Sequence, residues 1–465
     1  MSGKSKLTQV AGAAALGGFL FGFDVAVING AIGSVAGATT GFDLNAWTTG
    51  FVVSVVSLGA AIGAALAGGA SNRFGRVKVM LGAACLFAIS ALMSGLSFSA
   101  EALIFWRLVG GFGVGASAVI APAYIAEIVP ADKRGRLGTL QQLAIAIGIF
   151  GAFITNYILV KVTGSADAVA WFGLYTWRWM FMSELLPALL YGIFVVFLPE
   201  SPRYLVSIGR FEDAKRVIAM VGTDDDPAGR VVAIKESLTG ERPRFADLLD
   251  KKYGLRPVMW VALGFAFLIQ MAGINNVLLY ATDLWSTVGF QGNLSVFIPV
   301  LTSVIGIVMT IVGMLVIDKV GRRPLLFWGA IGMFVTMVVS AITFMQGTVS
   351  AEGSLNLTGA WAVICLISVH LVYIIFCGTW GVVLWVFLGE IFPNQIRTAG
   401  IAVATAANWI GGTLVTLLFP VLKQSIGLSG TYFSYAAVMA ILIWLVVRHI
   451  PETKGIELED MKYNL

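Results

Sequence analysis

Long apolar runs separated by short polar turns recur along the chain from about residue 9 to residue 449. Each is about 20 residues or longer, the length that crosses a bilayer core as a helix. Twelve such runs can be placed, at roughly 9–33, 48–70, 78–99, 102–128, 137–160, 177–198, 255–282, 293–317, 324–346, 360–388, 398–422 and 427–449. They predict helices, because lipid offers no partner to an unpaired backbone group and only helices or closed barrels span it. The ten-residue alternating segments of a membrane barrel are absent from the sequence. The longest polar stretch, about 199–254, carries mixed charge in "RFEDAKRV" and a turn-like "GTDDDPAG". It predicts a linker with short amphipathic helices.

Composition agrees with this pattern: 58% of the residues are hydrophobic and 12% charged, about half the roughly 25% charge of a soluble domain. With the N-terminus placed in the cytoplasm, all Lys and Arg except Lys161, Arg178, Lys423 and the intramembrane Arg107 face that side, as the positive-inside rule requires. The net charge of +5 therefore reports topology, and nucleic acid is not an expected partner. Cys85, Cys365 and Cys377 fall in spans and make no disulfide framework. No cleavable signal is expected, since the first apolar run is too long for a signal core and holds Asp24.

Three motif pairs recur in the same order. "NRFGR" (Asn72–Arg76) pairs with "DKVGR" (Asp318–Arg322), "EIVPADKR" (Glu127–Arg134) with "EIFPNQIR" (Glu390–Arg397), and "PESPR" (Pro199–Arg203) with "PETKG" (Pro451–Gly455), at offsets of 246, 263 and 252 residues. Equal order and near-equal offset predict two similar halves: a six-helix bundle at 1–198, the linker at 199–254, a second six-helix bundle at 255–449 and a cytoplasmic tail at 450–465. The fold class is all-α integral membrane, twelve transmembrane helices in two pseudo-symmetric bundles, an architecture that works by moving one half against the other.

With "GINNVLLY", "VGRRP", "GEIFPNQIR" and "AANW" added to these motifs, the chain resembles the sugar porter family of the major facilitator superfamily over essentially its whole length. The resemblance implies alternating access and a monosaccharide or polyol substrate, hexose foremost, in a cell membrane (plasma or bacterial inner) with both termini cytoplasmic. No cofactor is implied, and the partners are the sugar, a proton and membrane lipid, with no obligatory protein partner. It places Gln142, Gln270, Asn275, Trp385 and Asn408 at sugar-contacting positions, Phe21, Phe376 and Trp409 at aromatic lining positions and Tyr280 at an outer gate. It also implies that Glu127, Arg134, Arg203, Asp318, Arg322, Arg323, Glu390 and Arg397 form gating ion-pair networks at the inner helix ends.

Residue chemistry accommodates a sugar independently. Amide side chains both donate and accept, as hydroxyls do, and spans 5, 7 and 11 hold Gln141, Gln142, Gln270, Asn275, Asn276 and Asn408. For any one amide, a helix-to-helix hydrogen bond is the competing role. Gly273 between Gln270 and Asn275 permits a local helix break. Some positions depart from the family pattern: Ile269 stands where a glutamine is usual, and Gly306 and Gly412 where asparagines occur. "GVVLW" (Gly381–Trp385) lacks two prolines that bend span 10, so bending there is expected to rest on Gly378 and Gly381.

A carboxylate within a span is costly and so marks function. Asp24 in "FGFD" is paired, on the sequence reading, with Arg107 of "FWRLVGG" as the intramembrane acid and base lying away from helix ends. Burial and the guanidinium act oppositely on the carboxyl's hold on a proton, which suits a site that loads and unloads one. In the family this position is aspartate in proton symporters and commonly asparagine in passive carriers. The expected activity is proton-coupled sugar uptake, with passive uniport and a static ion pair as the alternative. A membrane sugar sensor is a further alternative, but one would be expected to carry a long signalling tail, where little more than "ETKGIELEDMKYNL" follows span 12. An enzyme is not expected: His370 and His449 are far apart in sequence and no nucleophile or metal cluster accompanies them.

Overall fold

The computed structural model of the protein describes residues 3–38, 42–128, 131–221, 226–238, 248–250, 252, 254–288, 293–349, 355–393 and 396–454. In chain order the helices are α1 (Gly3–Ala36), α2 (Ala46–Phe74), α3 (Arg76–Gly95), α4 (Ala100–Ile128), α5 (Ala131–Thr163), α6 (Thr176–Ser183), α7 (Leu185–Val196), α8 (Pro202–Ser207), α9 (Phe211–Val221), α10 (Pro227–Leu238), α11 (Pro257–Met271), α12 (Ile274–Leu279), α13 (Ala281–Thr287), α14 (Asn293–Val320), α15 (Arg322–Met345), α16 (Ala360–Gly378), α17 (Trp380–Glu390) and α18 (Arg397–His449). Two-residue antiparallel ladders join 249–250 to 254–255 and 348–349 to 355–356.

Eleven segments among the described residues are long and apolar enough to cross a membrane. The last, Ala399–His449, has 51 residues; a straight helix of that size is about 75 Å long, more than twice the roughly 30 Å hydrocarbon core. Gly427 interrupts it with φ 71° and ψ 175°, a conformation closed to side chains with a Cβ. The segment is therefore two spans, and the count reaches the twelve that the hydrophobic pattern predicts.

Several spans are broken, and the breaks have local causes. Pro187 has no N–H to give the carbonyl of Ser183 and its ring crowds that carbonyl, so α6 stops there and the N–H of Glu184 turns to Phe181 O at 3.2 Å. The seventh span divides at Gly273 (φ 76°) and again at Tyr280 (φ −112°). The tenth divides at Thr379 (φ −129°, ψ −86°), directly after Gly378, so the bend does not need the missing prolines.

Contacts group the chain into two compact units. The first comprises Met1–Val25, Gly59–Ala152 and Phe181–Arg242; α3 packs there against α4 and α7. Its linker helices α8, α9 and α10 are more than a solvated strand of polar residues, since Leu205, Val206, Ala214, Ile218 and Val231 form a small buried cluster. The second unit comprises Ala26–Leu58, Phe153–Met180 and Pro243–Leu465, and in it α11 and α15 lie against α18.

Candidate functional site

Within the first unit, α1 brings Asp24 to Arg107 of α4, and both side chains are 1% exposed. Arg107 Nη1 donates to the backbone carbonyl of Asp24 at 3.0 Å and to its Oδ1 at 3.2 Å. The same guanidinium lies over the Phe181 ring, 5.4 Å from its centroid. A cation so enclosed is held by its carboxylate and by the ring face together.

A third charged group was missed in the sequence. Glu184 is 1% exposed, and its carboxyl reaches that of Asp24 as well as the field of Arg107. The expectation that Asp24 and Arg107 are the intramembrane acid and base lying away from helix ends is therefore incomplete: among the described residues Glu184 joins them in a trio. Neither Asp24 Oδ2 nor Glu184 Oε1 finds a donor among the described residues. Two carboxylates cannot hydrogen bond to one another unless one carries a proton. The available signal was Pro187 three positions on, which breaks the helix at Glu184 in the middle of an apolar run.

In the second unit a chain of amides spans α11, α12 and α18. Asn275 Nδ2 donates to Gln270 Oε1 at 2.9 Å, and Gln270 Nε2 donates to Asn408 Oδ1 at 3.0 Å. The break at Gly273 lets two side chains five residues apart meet. A Cβ built on Gly412 would stand 3.4 Å from Asn275 Nδ2, so this position adjoins the amide chain and its missing side chain leaves space there. Asn276, by contrast, is a bundle residue: its Nδ2 donates to Val415 O at 3.1 Å and to Tyr435 Oη at 2.7 Å.

The aromatic positions differ among themselves. Trp409 is buried and Trp385 is 41% exposed, while Phe376 is half-buried and 3.2 Å from where a Gly381 Cβ would lie. Phe21 and Gln142 are half-buried on α1 and α5. Tyr280 sits at the second break of span 7, buried, donating to Thr416 O at 3.2 Å and packed on Phe419 with centroids 4.7 Å apart. Just beyond it, Asn29 of α1 donates to Leu278 O at 2.6 Å and accepts from Thr282 Oγ1 at 2.6 Å. Asn29 was missed because a single amide within an apolar span gives no sign of the tertiary partners it will meet.

The repeated motifs build the same hydrogen-bond set twice. Arg76 Nη2 donates to Glu127 Oε1 at 2.8 Å, Ser201 Oγ donates to the other oxygen of Glu127, and Glu200 Oε1 accepts the backbone N–H of Arg76 at 2.9 Å. In the second unit Arg322 Nη2 donates to Glu390 Oε1 at 2.8 Å, Thr453 Oγ1 to Glu390 Oε2 at 2.6 Å, and Glu452 Oε1 accepts the N–H of Arg322 at 2.9 Å. Gly75 (φ 96°) and Gly321 (φ 100°) precede the two arginines; a Cβ at either would meet the capping glutamate. The glutamates of "PES" and "PET" are therefore remote caps for the exposed N–H groups of α3 and α15.

Asp318 accepts from Arg322 Nη1 at 3.1 Å, and Arg323 gives its N–H to Glu452 Oε2 at 3.0 Å and its Nη2 to Val447 O at 2.8 Å. Partial burial works to raise the pKa of Glu452, but the N–H groups of Lys454, Arg322, Arg323 and Thr453 outweigh it and hold the carboxyl below the ordinary glutamate value. Arg203 is exposed. The side chains of Arg134 and Arg397 lie outside the described ones.

Comparison with known proteins gives a family model, "Sugar (and other) transporter", matched over residues 10–465. A glucose transport protein of Synechocystis sp. is 45% identical over 454 residues, 97% of this chain and 96% of that protein. The partially occluded, inward-open structure of the xylose transporter XylE from E. coli superimposes with a TM-score of 0.82 at 29% identity, covering 97% of this chain and all of that one. A structure of XylE described as a proton:xylose symporter, bound to 6-bromo-6-deoxy-D-glucose, gives a TM-score of 0.79 at 31% identity over 99% of both chains.

Proposed function

Because the chain belongs to the sugar transporter family, the sugar porters of the major facilitator superfamily, we propose that it takes up a monosaccharide, hexose foremost, together with a proton. It is a multi-pass membrane transporter and not an enzyme. Both termini are placed in the cytoplasm on the distribution of Lys and Arg.

The observation that carries proton coupling is the trio of Asp24, Glu184 and Arg107 inside the helical bundle. With both carboxylates ionised the trio bears a net negative charge in a medium where an uncompensated charge is expensive. One added proton, shared by the facing carboxyls, makes it neutral and turns their contact into a hydrogen bond. Arg107 stays charged throughout. Loading therefore changes how α1, α4 and the α6–α7 junction hold one another, and bias exerted by proton and sugar on one conformational equilibrium is reciprocal. The 31% identical XylE structure named as a proton:xylose symporter supports this reading.

The amides Gln270, Asn275 and Asn408 are the sugar's proposed hydrogen-bond partners, exchanging the bonds they now make with one another for bonds to hydroxyls. Gln142, Trp385, Phe21, Phe376 and Trp409 are proposed contacts, and Tyr280 an outer gate. The networks of Glu127, Asp318, Arg322, Arg323 and Glu390, with Arg134, Arg203 and Arg397, are the proposed inner gate, effective only through contacts that differ between states. Hexose is put first because the 45% identical relative is a glucose transport protein.

The test is Asp24→Asn in proteoliposomes with labelled D-glucose, D-xylose and myo-inositol. Uphill uptake driven by an inward proton gradient is lost while counterflow of the carried sugar persists. Full accumulation by this variant would refute proton coupling through Asp24 and leave passive uniport.

A further inference from the structure

Two levels of buried polar groups lie one above the other in the first unit, and the proposed reading uses only one. At the first level are Asp24, Gly110, whose added Cβ would stand 3.3 Å from Asp24 Oδ1, and Glu184. Seven residues from each, along three different helices, stand Gly17, Ser117 and Tyr191. Seven residues are two helical turns, about 10 Å, and return to nearly the same face. Direction agrees too: α1 runs opposite to α4 and α7, and Gly17 precedes Asp24 while Ser117 and Tyr191 follow their counterparts.

The three second-level positions are in contact. A Cβ on Gly17 would lie 2.9 Å from Tyr191 Oη and 3.5 Å from Ser117 Cβ, and the serine hydroxyl is within reach of the phenol. Tyr191 is 0% and Ser117 1% exposed, yet neither hydroxyl makes a well-formed hydrogen bond among the described residues. Beside them, against Gly18, is Gln141, 7% exposed, with both amide atoms in the same condition. Buried polar atoms are nearly always satisfied, and a cluster of three such side chains is the kind of place that holds ordered water. Midway between the levels the buried residues Leu20, Val114 and Ala188 are apolar. Seven residues past Ser117 on α4, Tyr124 Oη donates to Pro199 O at 2.6 Å, at the end of the unit that carries the Arg76 network.

We infer that Tyr191 and Ser117 form an inner station through which the proton held by the Asp24–Glu184 pair leaves toward the cytoplasm. The inference rests on the symport reading. The proton crosses the apolar layer on transient water and binds a lone pair of Tyr191 Oη. The phenol's own proton passes to Ser117 Oγ, and the serine's proton passes to water on the far side. Both hydroxyls end neutral, with their hydrogen-bond direction reversed, so no tyrosinate forms in the low-dielectric interior. The apolar layer stops the proton from leaking when water is excluded, and Gly17 leaves room for the two hydroxyls to meet.

Tyr191→Phe removes one oxygen and keeps the buried ring; Ser117→Ala is the second variant. Purified full-length protein in proteoliposomes is given D-glucose, and external alkalinisation, proton-driven uptake and counterflow are recorded. In either variant, alkalinisation and uphill uptake slow by about tenfold or more, the scale of losing a positioned proton-transfer group, while counterflow keeps the wild-type rate. Wild-type alkalinisation with unchanged variants overturns the station and leaves symport standing. Loss of counterflow in step with uptake in both variants gives the pair a structural role and overturns it as well. Absence of alkalinisation in the wild type during demonstrated D-glucose counterflow removes symport itself, and the station with it.

Discussion

Arg107→Met removes the cation of the buried trio while keeping most of the side chain's bulk. The wild-type pair has both side chains 1% exposed and two hydrogen bonds from one Nη, at 3.0 and 3.2 Å. Deleting one partner of a buried ion pair leaves an uncompensated charge and costs about 3–5 kcal/mol. The expected loss in unfolding free energy, read by reversible SDS titration in mixed micelles, is of that size, roughly a hundredfold or more in the equilibrium constant. Adding Asp24→Asn to Arg107→Met recovers most of the loss, because the carboxamide needs no counter-ion and can donate to Glu184. The double-mutant cycle therefore shows a large coupling between the two sites. The penalty of the single variant also shrinks as pH falls, since a protonated Asp24 has no charge to leave unpaired. An Arg107→Met protein within about 1 kcal/mol of wild type, or a double variant no more stable than the single, would refute the claim that this pair is a mutually dependent buried charge pair; such pairs lose several kcal/mol when broken.

Other consequences are accessible to simpler assays. Glu452→Gln weakens the cap on α15 by about 1 kcal/mol at neutral pH, as cap removal usually does. Since the folded carboxyl is held below the ordinary glutamate value, its contribution is present above about pH 4.3 and disappears as pH falls through the lower folded value, so the gap in thermal midpoint between variant and wild type narrows below pH 4.3. Asn408→Ala breaks the amide chain at its 3.0 Å bond to Gln270; loss of one bond to a sugar hydroxyl costs about 1 kcal/mol, and the half-saturation constant for counterflow rises about fivefold with little change in maximal rate. Asn29→Leu leaves Leu278 O and Thr282 Oγ1 without the side chain they now use, and amide hydrogen exchange over residues 278–284 becomes faster.

The parts legible in the sequence are those governed by periodicity and by cost. Twelve apolar runs of bilayer length admit few arrangements, and the order of three repeated motifs implied two similar halves; the matching hydrogen-bond sets around Arg76 and Arg322 are built from those motifs. Asp24 and Arg107 were readable as a pair because a lone charge in lipid is so expensive. Gly273 was readable as a break because nothing else between Gln270 and Asn275 tolerates one. What escaped was set by tertiary neighbours. Glu184 drew no reading from the sequence; the Pro187 break and the α1 contact set it against Asp24. Glu200 and Glu452 were legible only as members of a repeated motif pair, although each caps a helix more than a hundred residues away. The buried hydroxyls of Ser117 and Tyr191 have no signature in composition, and only heptad spacing on three helices at once sets them beside one another.

One backbone angle at Gly427 has an effect on the far face of the membrane. Were φ there negative and the helix continuous, the final twenty-odd residues would leave the bilayer on the opposite side, and Pro451, Glu452 and Thr453 would be stranded away from Arg322 and Glu390. A hairpin corner at one surface thus determines which compartment receives the carboxylate that tethers the start of α15 at the other. Replacing this glycine by a β-branched residue should therefore read out as misplaced C-terminal topology in a reporter fusion, before any local instability at the corner itself becomes visible.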